Sequence, residues 1–488
     1  MQPNDTLLRA TVPTARPATA ASPEDARDGI EVAPTPALAR LADAERVRRQ
    51  AEQQTRVVRW KAIEEAGGIP KWVHLELVKA GAFVADDPGT LTDATKKTYK
   101  ERKKVEASEK RRFQKLAWQS YHATHLNHLG SGVFYNDLVN IDRFDIERRE
   151  ERAKDLGLPE WTSPAALAEA LGLSTSRLRW LAYHADVDTG SHYVRFTIPK
   201  RDGSARQITA PKPELKRVQR TLLDRLLDRL TVHNAAHGFI AARSIQTNAL
   251  VHAGADVVVK VDIKDFFPSI TFPRVKGLLR HAGLTEQVAT VVALLCTESP
   301  RDVVTFDRHG VSDTLYVATG PRALPQGSPA SPMITNAICL RLDKRMAGLA
   351  RRHGCTYTRY ADDLTFSFKE RGDQATPVGP LLHGVRLILA GEGFVLHDKK
   401  TTVMGGGTRQ VVTGLVVNQR PAGSSSAASR PPREVGRRLR AAIHNRKAGK
   451  PAREGESLAQ LRGLAAFIFQ SDPVKGRRFL EELATLGD

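Results

Sequence analysis

The tetrapeptide Tyr360-Ala361-Asp362-Asp363 places two adjacent carboxylates between two runs of strand-forming residues. Such a pattern predicts a β-hairpin that carries acidic groups at its turn. Neighbouring carboxylates repel each other, so a pair of this kind is stabilised by a cation, and a divalent metal shared with substrate phosphates is a common case. A solvated turn also fits the pair. The metal interpretation therefore requires a third carboxylate elsewhere in the chain.

A β-branched run from Val257 to Val261 predicts a buried strand, and this run ends at Asp262. A carboxylate at the end of a buried strand is costly unless it has a partner or a metal. We therefore predict that Asp262 joins Asp362 and Asp363 in a metal-binding group, and the resemblance described next implies that this group is catalytic. Between the two acidic segments, residues 323–332 are rich in Pro, Gly and Ser. Small-residue turns expose backbone N–H groups, which suits close approach to a phosphate or a base pair.

Three segments, taken in this order, resemble the palm motifs of reverse transcriptases: Asp262 with Phe267 five residues on, the turn from Pro325 to Pro332, and Tyr-Ala-Asp-Asp. The resemblance implies an α+β, right-hand polymerase with fingers, a palm built on an antiparallel sheet, and a helical thumb. It also implies RNA-directed DNA synthesis with two Mg²⁺ ions, for which Mn²⁺ can substitute. The backbone carbonyl of Ile263 is implied as a further metal ligand.

The same resemblance predicts the residues that hold the incoming nucleotide. Lys200 and Arg206 match cations of the fingers hairpin that grip the triphosphate, although a solvated basic hairpin is the alternative. Phe267 matches a steric gate that selects deoxynucleotides, with a plain core aromatic as its alternative. Gln326 matches a residue that lines the nucleotide pocket. Lys400 resembles a later lysine that acts as a general acid toward the leaving pyrophosphate.

Two short motifs narrow the resemblance to retron reverse transcriptases, in a long form with an N-terminal extension. An NAxxH element precedes the first palm strand, and a VTG element follows the lysine motif. We predict that both elements bind RNA or DNA through Asn248, His252, Val412, Thr413 and Gly414.

Enzymes of this family copy part of their own structured non-coding RNA, of msr-msd type, into DNA. As the resemblance implies, synthesis is primed from an internal guanosine 2′-hydroxyl and gives branched multicopy single-stranded DNA (msDNA), with a role in anti-phage defence. The implied partners are the cognate RNA, its DNA product, deoxynucleoside triphosphates and a host ribonuclease H. An effector protein is a further candidate partner.

Two alternatives remain open at the level of sequence. Group II intron enzymes and other bacterial reverse transcriptases share the palm motifs, but intron enzymes usually carry a maturation domain after the thumb, and 70 residues follow Asn418. A catalytically inactive RNA-binding assembly protein is the alternative outside the enzymes. The three intact aspartates argue against it.

Charge and composition agree with a partner that is a polyanion. The chain of 488 residues has 74 basic and 54 acidic residues, for a net charge of +20. Charge alone does not separate nucleic acid from an anionic membrane, but no apolar run approaches the ~20 residues of a membrane span. We therefore predict a soluble, cytoplasmic protein without a membrane partner. Three cysteines without paired spacing predict reduced thiols.

Composition also divides the chain into units. A start rich in Ala, Pro and Thr without periodicity is typical of disorder, and the segment that follows has a basic, helical pattern. The predicted units are a disordered tail (1–38), a helical basic N-terminal extension (39–160), fingers (161–250), a palm with part of the fingers (251–418), a linker (419–432) and a helical thumb (433–488).

Local sequence signals predict helices at two positions within these units. Ser163 and Pro164 predict a helix start, and the segment through Leu178 resembles a helix-turn-helix that we interpret as a packing unit of the fingers rather than a DNA-reading module. The thumb begins with a basic helix suited to following the backbone of a template–product duplex. An ordinary helical tail is its alternative. The predicted RNA- or DNA-binding side chains of the thumb are Arg433, Arg437, Arg438 and Arg440.

Overall fold

The computed structural model describes residues 36–85, 93–126, 128–130, 133, 147–199, 203, 205–308, 311–369, 376–418, 429–451 and 456–486. Three predictions fall wholly or mainly outside these residues. They are the disordered tail, of which only 36–38 are described, the role of Lys200, and the linker, of which only 429–432 are described. The described residues form an α+β structure, as predicted.

Helices make up most of the described chain. In chain order they are α1 (Pro36–Glu65), α2 (Ile69–Lys79), α3 (Asp93–Thr124), α4 (Arg149–Asp155), α5 (Pro164–Ala170), α6 (Thr175–Ala182), α7 (Pro213–Arg225), α8 (Ile245–Val251), α9 (Phe272–Ala282), α10 (Glu286–Cys296), α11 (Ser331–Ile338), α12 (Leu340–Arg352), α13 (Val378–Gly391), α14 (Arg433–Lys447), α15 (Leu458–Ser471) and α16 (Pro473–Ala484). Short 3₁₀ turns lie at Leu227–Arg229 and Asp398–Lys400.

The strands are shorter, and those of the described residues form four separate sheets. In chain order they are β1 (Val187–Asp188), β2 (Tyr193–Pro199), β3 (Ala205–Pro211), β4 (Val257–Lys264), β5 (Arg301–Arg308), β6 (Val311–Ala318), β7 (Thr356–Tyr360), β8 (Asp363–Phe368), β9 (Val395–Leu396), β10 (Thr402–Gly405), β11 (Val411–Val412) and β12 (Leu415–Val416). The sheet orders are β10-β4-β8-β7 with β9 also on β4, β1-β6-β5, β2-β3 and β11-β12.

Strand β4 is the centre of the five-stranded antiparallel sheet, and both of its faces are covered. Val259, Val261 and Ile263 point into the main hydrophobic core. Val258 points the other way, into a smaller cluster with Ala249 of α8 and residues of β11 and β12. Since side chains alternate between the faces of a strand, burial on both sides explains why β4 begins with three consecutive valines, Val257, Val258 and Val259.

The first three helices have a small core of their own. Ile63 of α1, Trp72 and Leu77 of α2, and Phe113 and Ala117 of α3 meet there. Long helices are stable in proteins mainly because one face packs in this way. The predicted helical character of this segment is thus observed in residues 36–85 and 93–126.

The end of α3 is attached to the helices that follow. The hydroxyl of Thr175, at the start of α6, donates a hydrogen bond to the carbonyl of Ala123, and Gln53 of α1 donates to the same carbonyl at 2.7 Å. Helix α5 begins as predicted, because Ser163 accepts a hydrogen bond from the amide of Ala166 and Pro164 takes the first position.

The last three helices form a further unit with a separate core. Leu439 and Ile443 of α14 pack with Leu461 and Ile468 of α15 and Phe479 of α16. Among the described residues, none of the helices has the length and the apolar character that crossing a bilayer requires.

Candidate active site

Asp262 and Asp363 are opposite each other across two neighbouring strands. Asp262 stands near the end of β4, Asp363 begins β8, and the two are direct partners in the antiparallel register. The amide of Ile263 donates a hydrogen bond of 3.1 Å to the carbonyl of Asp362. Two segments about a hundred residues apart in sequence are therefore locked together at the acidic groups. The structure brings together the three carboxylates that the sequence singles out.

The turn that carries Asp362 has an uncommon backbone. Tyr360 pairs with Asp363, so that Ala361 and Asp362 form a two-residue hairpin turn. Ala361 has φ +55°, in the left-handed region that a side chain with a Cβ rarely adopts. Such a conformation persists when the surroundings hold it. Gly238 contributes to this support, since a Cβ at that position would lie 3.0 Å from the amide nitrogen of Ala361.

A buried ion pair holds the strand before the turn. The guanidinium of Arg359 is fully buried and contacts the carboxylate of Asp343 at 2.7 Å. Its Nη1 also donates to the side-chain oxygen of Asn336 at 3.0 Å and to the backbone carbonyl of Ala361 at 3.3 Å. Asn336 in turn donates to the carbonyl of Gly238 at 2.8 Å. One arginine thus links helices α11 and α12 to the turn that bears the acids.

The carboxylates crowd one another electrostatically. Burial, followed by the charges of Asp262 and Asp363, raises the pKa of Asp362 to about 6. Lysines lie beside the other two acids: Lys400 Nζ is 3.0 Å from Oδ1 of Asp262, and Lys260 Nζ is 3.5 Å from Oδ2 of Asp363. The site therefore has an excess of negative charge centred on Asp362, which favours binding of a cation.

The chemistry of these donors fits a hard divalent cation, because such ions prefer carboxylate and carbonyl oxygens. As the side chains stand, no group of three or more His, Cys, Asp or Glu residues in the described part of the chain is arranged so that it could hold a metal ion. The amine of Lys400 already hydrogen-bonds one of the donors, Asp262. A metal ion would compete with Lys400 for this carboxylate.

Phe267 and Gln326 belong to segments that the backbone ties to each other. The amide of Leu324 donates to the carbonyl of Ile270 at 3.0 Å, which joins the turn before Gln326 to the segment after Phe267. Phe267 is partly buried against the main core and keeps part of its ring accessible, whereas its neighbour Phe266 is buried. Of these two rings, only that of Phe267 is available to a ligand.

The β2–β3 hairpin is joined to the same turn. The amide of Thr209 in β3 donates to the carbonyl of Gln326 at 2.8 Å, and Gly327, with φ +131°, lies so close that a Cβ would be 3.0 Å from the carbonyl oxygen of Thr209. Arg206 is exposed on β3. Lys200, the other predicted triphosphate-binding residue, lies outside the described residues.

The NAxxH element is part of the protein interior. His252 is fully buried and lies 2.7 Å from Oγ of Ser367 in β8 and 2.7 Å from Oγ1 of Thr358 in β7. Burial, with smaller effects from Lys369 and His237, lowers the pKa of His252 to about 3, so the imidazole is neutral. It thus connects helix α8 to both strands of the acidic hairpin.

The VTG element packs against the same helix. Thr413 and Gly414 form the turn between β11 and β12 with φ +46° and +84°, which is typical of a type I′ hairpin turn. The hydroxyl of Thr413 donates to the carbonyl of Ile245 at 2.8 Å, and Val412 packs against Ala249. The two elements therefore form one interlocked unit beneath the sheet.

This packing corrects one prediction. Direct contact with RNA or DNA is wrong for the side chains of Asn248, His252 and Val412, because each of them is enclosed by protein. The amide of Asn248 has no hydrogen-bond partner among the described residues. For Thr413 and Gly414, which are partly or fully exposed, nucleic-acid contact stays a prediction.

Helix α14 presents its predicted nucleic-acid-binding arginines to solvent. Arg433, Arg437 and Arg440 follow each other at helical spacing, while Leu439 and Ile443 face the core of the unit. Arg438 is also exposed, on the other flank of the helix. One side of this helix is therefore a cationic surface.

Sequence reasoning did not identify Lys260 and Arg359. Lys260 lies two residues before Asp262, and residues at this spacing share one face of a strand. The position of Lys260 beside the acidic residues could therefore be predicted from the sequence. Arg359 is a charged residue in a short strand next to the acidic turn. That signal suggests a buried partner, although the partner itself, Asp343, is fixed only by the tertiary structure.

Comparisons with known proteins identify the family of the chain. A family model described as reverse transcriptase (RNA-dependent DNA polymerase) matches residues 198–426. The chain is 55% identical over 466 residues to the retron Mx162 reverse transcriptase of Myxococcus xanthus, which covers 93% of this chain and 95% of the relative. It is 42% identical over 334 residues to the retron Mx65 reverse transcriptase of the same species, and this match covers 68% of this chain and 74% of that relative. Telomerase from Candida albicans, solved with a fragment of telomeric RNA, resembles it with a TM-score of 0.33 and 15% identity over 60% of this chain and 59% of that one.

The identity and coverage of the first relative decide between the alternatives. They confirm the predicted right-hand polymerase with a helical N-terminal extension, and they favour the retron enzymes over the group II intron enzymes. The chain belongs to the retron reverse transcriptases and is an RNA-directed DNA polymerase.

Proposed function

We propose that this polymerase copies part of its own structured non-coding RNA, of msr-msd type, and that it starts from the 2′-hydroxyl of an internal guanosine in that RNA. The product is branched multicopy single-stranded DNA. Support comes from the retron family to which the chain belongs and from the positive charge of the chain, which suits a partner that is a polyanion.

Asp262, Asp362 and Asp363 are the catalytic residues in this proposal. Reverse transcriptases use divalent metal ions, and here we assign two Mg²⁺ ions to Asp262 and Asp362, with Asp363 and the carbonyl of Ile263 as further ligands. When bound, the ions activate the primer hydroxyl and neutralise the triphosphate. The observation that carries the assignment is the pairing of Asp262 with Asp363 beside Asp362, whose pKa is raised by burial and then by the charges of its two neighbours.

Five further residues act on the incoming nucleotide. The primer oxygen forms a bond to the α-phosphorus while the bond from that phosphorus to the pyrophosphate oxygen breaks. Lys400 donates a proton to this leaving group. Lys200 and Arg206 grip the triphosphate, Gln326 lines the pocket, and the ring of Phe267 lies under the sugar and excludes a 2′-hydroxyl.

The remaining parts serve the nucleic acid. We assign fingers to residues 161–250, palm with part of the fingers to 251–418 and thumb to 433–488, with the exposed cationic side of α14 following the backbone of the template–product duplex. A host ribonuclease H would remove the copied template. The product serves anti-phage defence in the cytoplasm, with an effector protein as a further partner.

Primer extension on an RNA template tests the catalytic assignment. Asp262→Asn, Asp362→Asn and Asp363→Asn each remove a carboxylate charge at nearly constant volume, and we expect the first two to lower the rate at least about 1,000-fold. Asp265→Asn is the matched control, since this exposed neighbour already has φ +46°, which asparagine tolerates. Wild-type rates in Asp262→Asn or Asp362→Asn would refute the assignment.

Sequencing of the nucleic acid that copurifies with the chain tests the template and the primer. We expect a DNA joined through a 2′-linkage to one short structured RNA. Unbranched DNA or many unrelated templates would contradict the proposal, while leaving the polymerase activity itself intact.

A further inference from the structure

One face of helix α3 carries a row of cations. Helix α3 contains ten basic and four acidic residues. At 100° per residue, a set of exposed side chains spaced by three, four or seven positions falls within a narrow sector of the helix surface. We call this set the α3 stripe: Lys97, Lys100, Lys104, Arg111 and Lys115, with Trp118 at its end.

The acidic residues of α3 leave most of this charge uncompensated. Glu106 pairs with Lys103 at 2.7 Å, and Glu109 pairs with Arg112 at 2.9 Å. These pairs lie on the flanks of the helix, toward the core. None of the five cations of the α3 stripe takes part in an ion pair with a described residue. They extend over about 27 Å, with roughly one cation for each turn or two.

The opposite face of α3 is already occupied, which argues against insertion of this helix into a membrane surface. An interfacial helix inserts a broad apolar face among lipids. In α3 the apolar residues Phe113 and Ala117 are buried against α1 and α2. Val105 and Trp118 are the large apolar side chains of α3 that remain exposed among the described residues, and two side chains do not form such a face.

The form of the stripe favours duplex nucleic acid over a single strand. Proteins that hold single strands interleave cations with several aromatic platforms for unstacked bases. Trp118 is the aromatic side chain of the stripe, and it lies beyond the last cation, with 52% of its surface exposed. A straight row of cations instead suits phosphates along a rigid stem, which proteins recognise by shape and backbone contacts.

We propose that the α3 stripe binds a base-paired stem of the cognate RNA outside the copied strand, with Trp118 stacking on an unpaired base at the end of that stem. This proposal rests on the proposed function, because it takes its partner from the structured RNA that the enzyme copies. The contacts to phosphates are independent of sequence, so the stripe supplies affinity rather than choice among RNAs.

Two full-length variants with the same change in charge test the stripe. The stripe variant combines Lys97→Ala, Lys100→Ala, Lys104→Ala, Arg111→Ala and Lys115→Ala. The control variant combines Lys61→Ala, Lys71→Ala, Lys154→Ala, Lys344→Ala and Arg351→Ala. All ten side chains are exposed, so the melting temperature and the circular dichroism of both variants should match the wild type.

The readout is equilibrium binding of a labelled RNA hairpin with a stem of about 16 base pairs, measured over a range of salt concentrations without nucleotide. We expect the stripe variant to bind the hairpin at least ten-fold more weakly than the wild type. The slope of log K against log salt concentration should be shallower for this variant by up to about 4. The control variant should stay within two-fold. Trp118→Leu should weaken binding a few-fold and leave the salt slope unchanged.

Three results would overturn the proposal. The first is that the stripe variant and the control variant bind the hairpin equally well. The second is that the stripe variant binds single-stranded RNA more weakly than the wild type but binds the hairpin normally. The third is that the stripe variant loses binding only to vesicles of phosphatidylserine and phosphatidylcholine. The assay needs no catalysis. A wild-type protein that binds the hairpin through the stripe but copurifies with unbranched DNA or with many unrelated templates would refute the proposed function alone.

Discussion

Lys400 donates a hydrogen bond to Asp262, with 3.0 Å between Nζ and Oδ1. The lysine arrives on the 3₁₀ turn after β9, a strand that pairs with the end of β4. The amide of His397 also donates to the carbonyl of Asp262 at 2.8 Å. The position of this lysine therefore depends on the same strand that carries the carboxylate.

Replacing Lys400 should separate chemistry from metal binding. Lys400→Ala removes a proton donor to the leaving group, so we expect kcat to fall about 100-fold. It also frees Asp262 from a competing cation, so the Mg²⁺ concentration for half-maximal activity should decrease. Primer extension at varied Mg²⁺ measures both. The adjacent Lys399→Ala serves as control, and an unchanged kcat in Lys400→Ala would remove the general-acid role.

Phe267→Ala should relax sugar selection. The accessible ring of Phe267 is the one available to contact the nucleotide, so its removal opens space for a 2′-hydroxyl, and we expect the ratio of ribonucleotide to deoxynucleotide incorporation to rise at least about ten-fold. Single-nucleotide extension with each nucleotide measures the ratio. Phe266→Leu, at the buried neighbour, should instead lower the melting temperature. Wild-type selectivity in Phe267→Ala would mean that this ring is an ordinary core residue.

The Arg359–Asp343 pair should matter for both stability and activity. Arg359→Met leaves the carboxylate of Asp343 buried without a counter-charge, at a cost of about 3–5 kcal/mol. The double variant Arg359→Met/Asp343→Leu should recover much of this stability, as followed by the melting temperature. It should not recover primer extension, since the carbonyl of Ala361 still lacks its donor. Full activity in the double variant would show that the pair does not position the turn.

His252 should make the fold sensitive to acid. Its pKa is about 3 in the folded protein and about 6.5 in an unfolded chain. Between these values, the unfolded state takes up a proton that the folded state does not, so stability falls as the pH decreases, by up to about 1.4 kcal/mol per pH unit. His237, whose pKa burial lowers to about 4, acts in the same direction.

A melting series over pH measures this effect of His252. The difference in stability between the wild type and His252→Gln should be largest near pH 7 and should shrink toward pH 5. A difference that stays constant over that range would mean that His252 is not held neutral.

The sequence predicts the grouping of Asp262, Asp362 and Asp363 well. Strand β4 and the hairpin follow from local patterns, and the order of the motifs restricts the protein families to which the chain can belong. The sequence predicts the role of the NAxxH element poorly. A short polar motif does not reveal whether His252 faces a ligand or two strands, and that distinction depends on contacts more than a hundred residues away. The partner of Arg359 is hidden although it is only 16 residues away in sequence, since α12 and β7 meet only in the folded chain.

Helix α3 packs on the small core of α1 and α2 through Phe113 and Ala117, and one residue before the end of the helix Ala123 accepts a hydrogen bond from Thr175 of α6. A continuous helix transmits force along its axis and deforms mainly by gentle bending. It acts as a strut between two cores. Tension on a molecule held along α3 would be carried to α6 rather than absorbed by a loop. The held molecule and α6 would therefore move together while the polymerase advances.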